Sequence, residues 1–189
     1  VEPPCGIVTS DGFISAEDSV YGFYAPEHSF AQLLWLTRGF VEYRFPTYRL
    51  KNYPNMKSIE FSFELCSEAP GYCNDCKSDI AVYFNGTHIG FVHSLGDFGN
   101  RRGLLNPDWW DHNNTQYGLI HSILITATGT LIDDQPVSDF NLNSLNIGTE
   151  NSINLRLAVD STSHYKGGMN LFGEKFGDYS QNIRMKAIY

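Results

Sequence analysis

Alternation of apolar and polar residues with a period of two is the clearest pattern in this chain, and it predicts β-strands. Residues 58–65 (SIEFSFEL) place Ile, Phe, Phe and Leu on one face and Glu, Ser and Glu on the other. Residues 80–84 and 88–92 flank Asn85-Gly86, a pair suited to the positive φ angles of a two-residue hairpin turn. These segments predict one half-buried strand and one β-hairpin.

Turn residues between short apolar runs predict two further hairpins. Residues 6–9 and 13–15 flank Ser10-Asp11-Gly12. Residues 31–36 and 40–45 flank Thr37-Arg38-Gly39, and the first of these runs also fits a helical turn. Other strands are predicted at 117–126, 130–132, 152–159 and 183–188, and short helical pieces at 137–145 and 15–23.

About ten short strands joined by long loops predict an all-β fold, a jelly-roll-like two-sheet β-sandwich with few short helices. No flexible linker, low-complexity tract or internal repeat interrupts the sequence, so residues 1–189 are expected to form a single domain. Aromatic residues make up 14% of the chain, which also favours β-structure.

Composition and charge exclude several classes of protein. The hydrophobic fraction of 42% and the charged fraction of 18% do not fit a disordered tail or a coiled coil. A net charge of -8 disfavours direct binding to nucleic acid or to an anionic membrane. The chain has no apolar run of about 18 residues, so no membrane span is predicted. Val1-Glu2-Pro3-Pro4 has neither an initiator Met nor a signal-peptide pattern, so we expect either a processed leader or a domain of a longer chain.

Two long segments, 94–116 and 161–181, interrupt the succession of strands, and loops of this length are usually functional. Both combine aromatic rings with carboxylate, amide and guanidinium groups, the mixture that binds the C–H faces and the hydroxyls of sugars. We interpret Trp109 or Trp110 as a stacking platform, although both also fit a role as packing residues. The predicted ligand-binding residues are Asp97, Arg101, Arg102, Trp109, Trp110, Tyr117, Asn170, Phe172, Glu174 and Lys175.

Some of these side chains also have simpler structural interpretations. Asp97 and Arg101 could pair with each other, and Glu174 and Lys175 could form a solvated ion pair. Paired carboxylates across the two loops would suit hydrolysis, but no nucleophile-and-base motif is present. Nucleotide-binding glycine motifs are also absent from the sequence. The sequence therefore predicts a binding protein with no catalytic residues rather than an enzyme.

Four cysteines include a C-x-x-C formed by Cys73 and Cys76. A structural zinc site normally pairs one such motif with another or with two close histidines, and neither partner is evident. Free thiols or a local disulfide are the favoured interpretations, and a site built from Cys66, Cys73, Cys76 and a distant histidine is the alternative. No metal or other cofactor is predicted. His88 and His93 are expected to be packed or surface residues.

A series of rare motifs runs through most of the chain, most densely over 58–118 and 168–178. They are CSEAPGY (66–72), SDI (78–80), FNG (84–86), IG (89–90), GDFG (96–99), RRG (101–103), LNP (105–107), WW (109–110), TQYG (115–118) and GMNLFGEKFGD (168–178). With these motifs the chain resembles the C-terminal β-rich domain of bacterial ArsR-like winged-helix transcriptional regulators.

The resemblance implies an effector-sensing or dimerisation domain in the cytoplasm, a homodimer that contacts DNA only through an N-terminal helix-turn-helix domain outside this sequence. In the family pattern the region of Cys73 and Cys76 usually carries Asn and Trp, so the C-x-x-C departs from it and no shared metal-sensing role is implied. The β-sandwich suggests a small polar effector, such as a sugar, only by analogy of fold.

Two alternatives stay open at this stage. The chain also fits a carbohydrate-binding module of a secreted glycoside hydrolase, in which case its cysteines should form disulfides. A lectin-like enzyme that uses paired carboxylates is the third possibility.

Overall fold

The computed structural model describes residues 1–16, 18–50 and 53–189. Its helical segments are short 3₁₀ turns at Val20–Phe23, Pro26–Phe30, Thr47–Arg49, Tyr53–Asn55 and Leu142–Leu145. The strands are β1 (Glu2–Val8), β2 (Leu33–Pro46), β3 (Ser58–Cys66), β4 (Ser78–Phe84), β5 (Thr87–Ser94), β6 (Leu119–Thr126), β7 (Thr130–Ile132), β8 (Gln135–Ser138), β9 (Ser152–Val159), β10 (Met169–Phe172) and β11 (Arg184–Ile188).

The strands form two layers, so the predicted all-β sandwich is confirmed. One layer runs in the order β5-β4-β9-β2, and the other in the order β2-β10-β3-β6-β7-β8, with β1 on β2 and β11 on β3. Every pairing is antiparallel. Aromatic rings join the layers in the core: the ring centroids of Phe61 on β3 and Phe84 on β4 are 4.9 Å apart. Both rings are fully buried, as part of the apolar burial that is the dominant favourable contribution to folding.

The predicted hairpin over 31–36 and 40–45 is wrong, because both runs belong to the continuous strand β2. Its first half pairs with β1 and β10, and its second half, from Gly39 onward, pairs with β9. The positive φ of Gly39, 114°, marks the point where the strand passes from one layer to the other. Residues 33–36 are all buried, whereas polar and apolar positions alternate in much of the second half. The change of partner explains why the strand has two different patterns.

The Asn85-Gly86 hairpin is confirmed, with φ angles of 49° and 82° at the two turn residues. The turn at Ser10-Asp11-Gly12 also forms, closed by a hydrogen bond from Thr9 N to Gly12 O of 2.9 Å. Its return segment makes a single β-bridge, between Val8 and Phe13, rather than a strand.

The two predicted helical pieces are correct only in part. Within 137–145 the chain first completes β8 and then forms the 3₁₀ turn Leu142–Leu145, which Asn141 caps. Within 15–23 the helical part is Val20–Phe23, and Glu17 lies outside the described residues. The remaining predicted strands, at 58–65, 117–126, 130–132, 152–159 and 183–188, all form: two have the predicted bounds, and the other three differ by one or two residues at one end.

The predicted loop 161–181 contains a strand, β10, at the centre of the sheet between β2 and β3. All four residues of β10 are buried, so they lack the alternation that marks a half-exposed strand. No helix in the described parts of the chain is long and apolar enough to cross a membrane.

Candidate functional site

The two long loops converge at one end of the sandwich. The backbone N–H of Leu105 donates to the carbonyl of Gly177 over 2.9 Å, and the N–H of Gly177 donates to Asn106 Oδ1 over 2.8 Å. Arg101 forms a two-pronged ion pair with Asp178. Contacts across the loops therefore fix 94–116 against the segment that follows β10.

A pocket of about 250 Å³ opens next to this junction. Ligand sites typically span roughly 300–1,000 Å³, so this pocket suits a molecule no larger than about one sugar ring. Five parts of the chain form it: the N-terminal segment, β2, the residues after β3, and each of the two converging loops. The lining residues are Pro4, Asp18, Trp35, Thr37, Glu68, Ala69, Pro70, Gly71, Trp110, Asn114, Thr115 and Asn170.

One side of the pocket is aromatic. The rings of Trp35 and Trp110 have centroids 6.0 Å apart and planes inclined by 59°. Trp110 is held by a 2.7 Å hydrogen bond from its Nε1–H to the carbonyl of Thr115. Gly6 packs directly against the Trp35 ring. A Cβ at this position would lie 2.1 Å from Trp35 Cζ2 and would clash with it. Both rings belong to a small apolar cluster with Phe172 and Phe176, which fixes their orientation.

A second part of the pocket lining is polar and is organised by Asn170. Its Nδ2 lies 2.7 Å from both the carbonyl of Ser67 and Oε2 of Glu68. The same nitrogen lies 3.3 Å from Oγ1 of Thr115. Asn170 is 1% exposed, so this amide is fixed and in turn orients a carboxylate, Glu68, at the pocket wall.

Asp97 lies behind this wall, fully buried. Its Oδ2 accepts hydrogen bonds from the backbone N–H of Ala69 over 2.9 Å and from Thr115 Oγ1 over 3.0 Å, and the Cys66 thiol points at its Oδ1 from 3.8 Å. Burial raises the pKa of Asp97 to about 7, although these hydrogen bonds favour the charged form. Asp97 is therefore a buried support for pocket residues and does not pair with Arg101.

The structure places three predicted residues at or directly behind the pocket and two others as its supports. Trp110 and Asn170 line it, and Asp97 lies behind it. Phe172 is buried in the apolar cluster under the two tryptophans. Arg102 donates to the carbonyls of Trp110 and Pro107, so it positions the Trp110 backbone.

The other predicted residues lie outside the pocket. The Arg101 guanidinium stacks 3.7 Å from the centroid of Tyr117, and this pair forms a separate surface cluster with Asp178. Trp109 is 37% exposed, and its Nε1–H donates to the carbonyl of Ser10. Glu174 and Lys175 are exposed, and Glu174 lines a different, wider groove.

That groove, of about 760 Å³, lies between β2, β10 and the 3₁₀ segment Pro26–Phe30. It is larger than the pocket, and its lining includes the charged side chains Glu42, Arg44 and Glu174. Arg156 forms an ion pair with Glu42, so one of these charges is already compensated. The smaller pocket is chosen as the candidate site, because it combines two indoles with the buried amide of Asn170 and the carboxylate that this amide orients.

Sequence reasoning missed Trp35, Glu68, Asn114 and Thr115 as pocket residues. Trp35 lies in the apolar run LLWL, where it has the signature of a core residue, and Glu68 precedes Pro70-Gly71, where it has the signature of a turn. The motif CSEAPGY was the only signal that singled out Glu68.

Cys73 and Cys76 form a disulfide. This small loop pairs with the segment that carries the buried carboxylate, because Asp97 N donates to the Cys73 carbonyl over 2.8 Å and Cys73 N donates back over 3.1 Å. Cys5 and Cys66 are buried free thiols. Among the described residues no group of three or more His, Cys, Asp or Glu side chains has a geometry that could hold a metal ion.

The histidines on the β4-β5 and β6-β7 hairpins make structural contacts. His93 is exposed and its Nδ1 lies 2.7 Å from Asp79, whose pKa is lowered by hydrogen bonds from Tyr165 and His93 against the raising effect of burial. His121 makes an equivalent 2.7 Å contact with Asp133. These pairs lie outside the pocket.

Comparison of the chain with protein-family models, with curated proteins and with solved structures finds no match. The resemblance to ArsR-like regulators therefore stays a prediction from the motifs, and the pocket is the structural feature that bears on function.

Proposed function

We propose that this chain is the effector-binding β-sandwich of a bacterial transcriptional regulator, and that it binds one small polar ligand of about sugar-ring size. The observation that carries the proposal is the pocket itself, in which Trp35 and Trp110 line the same space as an oriented amide and carboxylate, Asn170 and Glu68. Aromatic rings beside fixed hydrogen-bonding groups are the combination that a sugar requires. Hydroxyls of the ligand would bind Glu68, Asn114 and Thr115 while its C–H face packs on the indoles.

The regulatory part of the proposal rests on the resemblance to ArsR-like regulators, and the motifs that carry this resemblance meet in the structure. Motifs far apart in the sequence, CSEAPGY, WW, TQYG and GMNLFGEKFGD, each contribute at least one lining residue to the same pocket. On this proposal the domain works in the cytoplasm as a homodimer and acts on DNA only through a separate DNA-binding domain. The ligand would control DNA binding by binding one arrangement of that dimer more tightly than another.

A thermal-shift screen with mono- and oligosaccharides, followed by calorimetry, tests the proposal. A monosaccharide at a hundred times its Kd should raise Tm by roughly 5–10 °C. Asn114→Ala, at the pocket wall, should weaken binding. Lys175→Ala, outside the pocket, should leave it unchanged. Absence of any response from every sugar would leave a purely structural, dimerising domain as the better account.

The disulfide favours a second candidate, a carbohydrate-binding module of a secreted glycoside hydrolase, since disulfides persist mainly in oxidising compartments. The same pocket would then serve to attach an enzyme to its polysaccharide. Oligosaccharides should bind this module more tightly than monosaccharides, whereas a pocket of about 250 Å³ in a sensor should prefer the monosaccharide. The screen therefore discriminates between the two candidates.

A further inference from the structure

The charged side chains among the described residues that line the candidate pocket are acidic. They are the carboxylates of Asp18 and Glu68, and this described lining includes no Lys, Arg or His. A third carboxyl group, Asp97, is buried directly behind the wall. The guanidinium of Arg102, which does not line the pocket, binds the backbone carbonyls of Trp110 and Pro107. The pocket is thus an acidic site.

The aromatic residues of the pocket lining favour a cationic ligand, as the carboxylates do. The face of an indole carries negative electrostatic potential and attracts cations within roughly 6 Å of the ring centre. Trp35 and Trp110 contribute two such rings to the pocket lining, with centroids 6.0 Å apart. Two indoles together with carboxylates are the chemistry that recognises an ammonium group.

Glu68 is built to accept a charged donor. The amide of Asn170, 2.7 Å from Oε2, holds the carboxylate at the wall, so binding requires little further ordering of this side chain. A neutral hydroxyl would form an ordinary hydrogen bond there. An ammonium would form a charge-assisted one, which is about twice as strong.

We propose that the ligand of this pocket carries a protonated amine on a sugar-sized ring, that is, an amino sugar with a free amino group. The inference rests on the proposed function and narrows its ligand class. The ammonium binds Glu68 and the faces of Trp35 and Trp110, with Asp18 adding attraction at the pocket entrance. Sugar phosphates and sugar acids are excluded, because their anionic groups would lie against like charges.

Isothermal calorimetry with matched pairs of ligands tests this proposal. Glucosamine, galactosamine and mannosamine are each compared with the parent neutral sugar, with the N-acetylated form and with glucose 6-phosphate. The expected result is that one free amine binds about tenfold more tightly than its neutral counterparts, the value of one charge-assisted hydrogen bond. The phosphate should not bind.

Two variants locate the selectivity. Glu68→Gln should remove most of the tenfold preference while neutral-sugar binding stays within about twofold, and the exposed Asp18→Asn should reduce it less. Glu174→Gln, an identical charge change outside the pocket, serves as the matched control and should leave the preference intact. Asp18→Asn keeps the test valid if Glu68→Gln fails to fold.

The failures of the two proposals are distinguishable. Equal binding of amine and neutral sugars, or a preference that survives both pocket variants, overturns the amine inference and leaves the sugar-binding proposal standing. No binding of any sugar, charged or neutral, overturns the proposed function and the amine inference with it.

Discussion

Asn170 on β10 donates to Glu68 across 2.7 Å, although the two residues are 102 positions apart in the chain. The same amide nitrogen lies 3.3 Å from Thr115 on the other long loop. One buried side chain thus joins three segments that carry pocket residues. The central strand β10 positions this amide, and the shape of the pocket therefore depends on the packing of the whole sheet.

Replacing Asn170 with Ala should lower both stability and ligand binding. The change removes the donor to the buried Ser67 carbonyl and to Glu68, so we expect a loss of about 2 kcal/mol in the free energy of unfolding. Urea denaturation measures it. Asn113→Ala, on an exposed part of the loop, is the control and should stay within about 0.5 kcal/mol of wild type. An equally small effect at Asn170 would contradict the network.

Stability should depend on pH through Asp97. Burial raises the pKa of this carboxyl from 3.8 to about 7 in the folded protein, so between these values the folded state binds more protons than the unfolded state. Stability therefore falls as pH rises through this window, and the ionisation of Asp97 contributes a loss on the order of 4 kcal/mol. Below pH 4 no such penalty exists.

Asp97→Asn isolates this contribution because the amide does not titrate in this range. Between pH 4 and pH 8 the wild type should lose stability relative to Asp97→Asn. The contributions of the other ionisable groups are the same in both proteins, so they cancel in the difference between the two unfolding free energies. Denaturant titrations at several pH values provide the measurement. A constant difference would mean that Asp97 ionises normally.

Glu64 should be one of the most sensitive charged residues in the structure. This buried carboxylate accepts hydrogen bonds from the backbone N–H groups of Gly118, Asp178 and Tyr179 at 2.8 to 3.1 Å, and its burial raises its pKa. Glu64→Gln turns an NH₂ group toward N–H donors and should cost about 3 kcal/mol. Glu60→Gln, on the same strand with a partly exposed side chain, should cost less than about 0.5 kcal/mol in the same urea titration.

Gly6 should be intolerant of any side chain. A Cβ at this position would lie 2.1 Å from Trp35 Cζ2, so Gly6→Ala must displace the indole that forms one wall of the pocket. We expect destabilisation of about 2 kcal/mol together with weaker ligand binding. Gly148→Ala, where a Cβ meets nothing within 4 Å, is the matched control. Comparable behaviour of the two variants in thermal unfolding and calorimetry would argue against tight packing at Trp35.

Thiol titration should count two free cysteines of the four. With the Cys73–Cys76 disulfide intact, a thiol reagent should label Cys5 and Cys66 after unfolding without reductant. In the folded protein both thiols are buried, and burial raises the pKa of Cys66 well above its usual value, so neither should react quickly. Four reactive thiols in the unfolded protein would contradict the disulfide.

The strands with local signals were predictable from the sequence. Apolar and polar residues alternate over 58–65, and Asn85-Gly86 is a pair that favours a two-residue hairpin turn. β2 was not predictable as one strand, because Thr37-Arg38-Gly39 resembles a turn locally and only the pairing of its two halves with different neighbours keeps the chain extended. β10 has four buried residues between glycines and thus no alternation to detect.

The candidate site was predictable only in part, for a related reason. Trp110 and Asn170 stood out because the loops that carry them are long and aromatic. The strand β10 brings the second loop beside the first. This placement determines how Trp110 and Asn170 are arranged in the pocket and that Trp35 and Glu68 complete its lining. Arg101 and Tyr117 have suitable chemistry but pack on each other at the surface, and residue type alone does not distinguish these outcomes.

The central claim, that a small sugar-like ligand binds in the pocket lined by Trp35 and Trp110, is tested most directly by a two-dimensional ¹⁵N–¹H NMR titration of the indole N–H signals. The chain has three tryptophans, and Trp109, whose indole N–H is bonded to Ser10 outside the pocket, is an internal reference. During titration with amino sugars and their neutral parents, the Trp35 and Trp110 signals should shift along one saturable curve while the Trp109 signal moves least. Signals that stay unshifted with every ligand, or a Trp109 signal that moves most, would contradict the account.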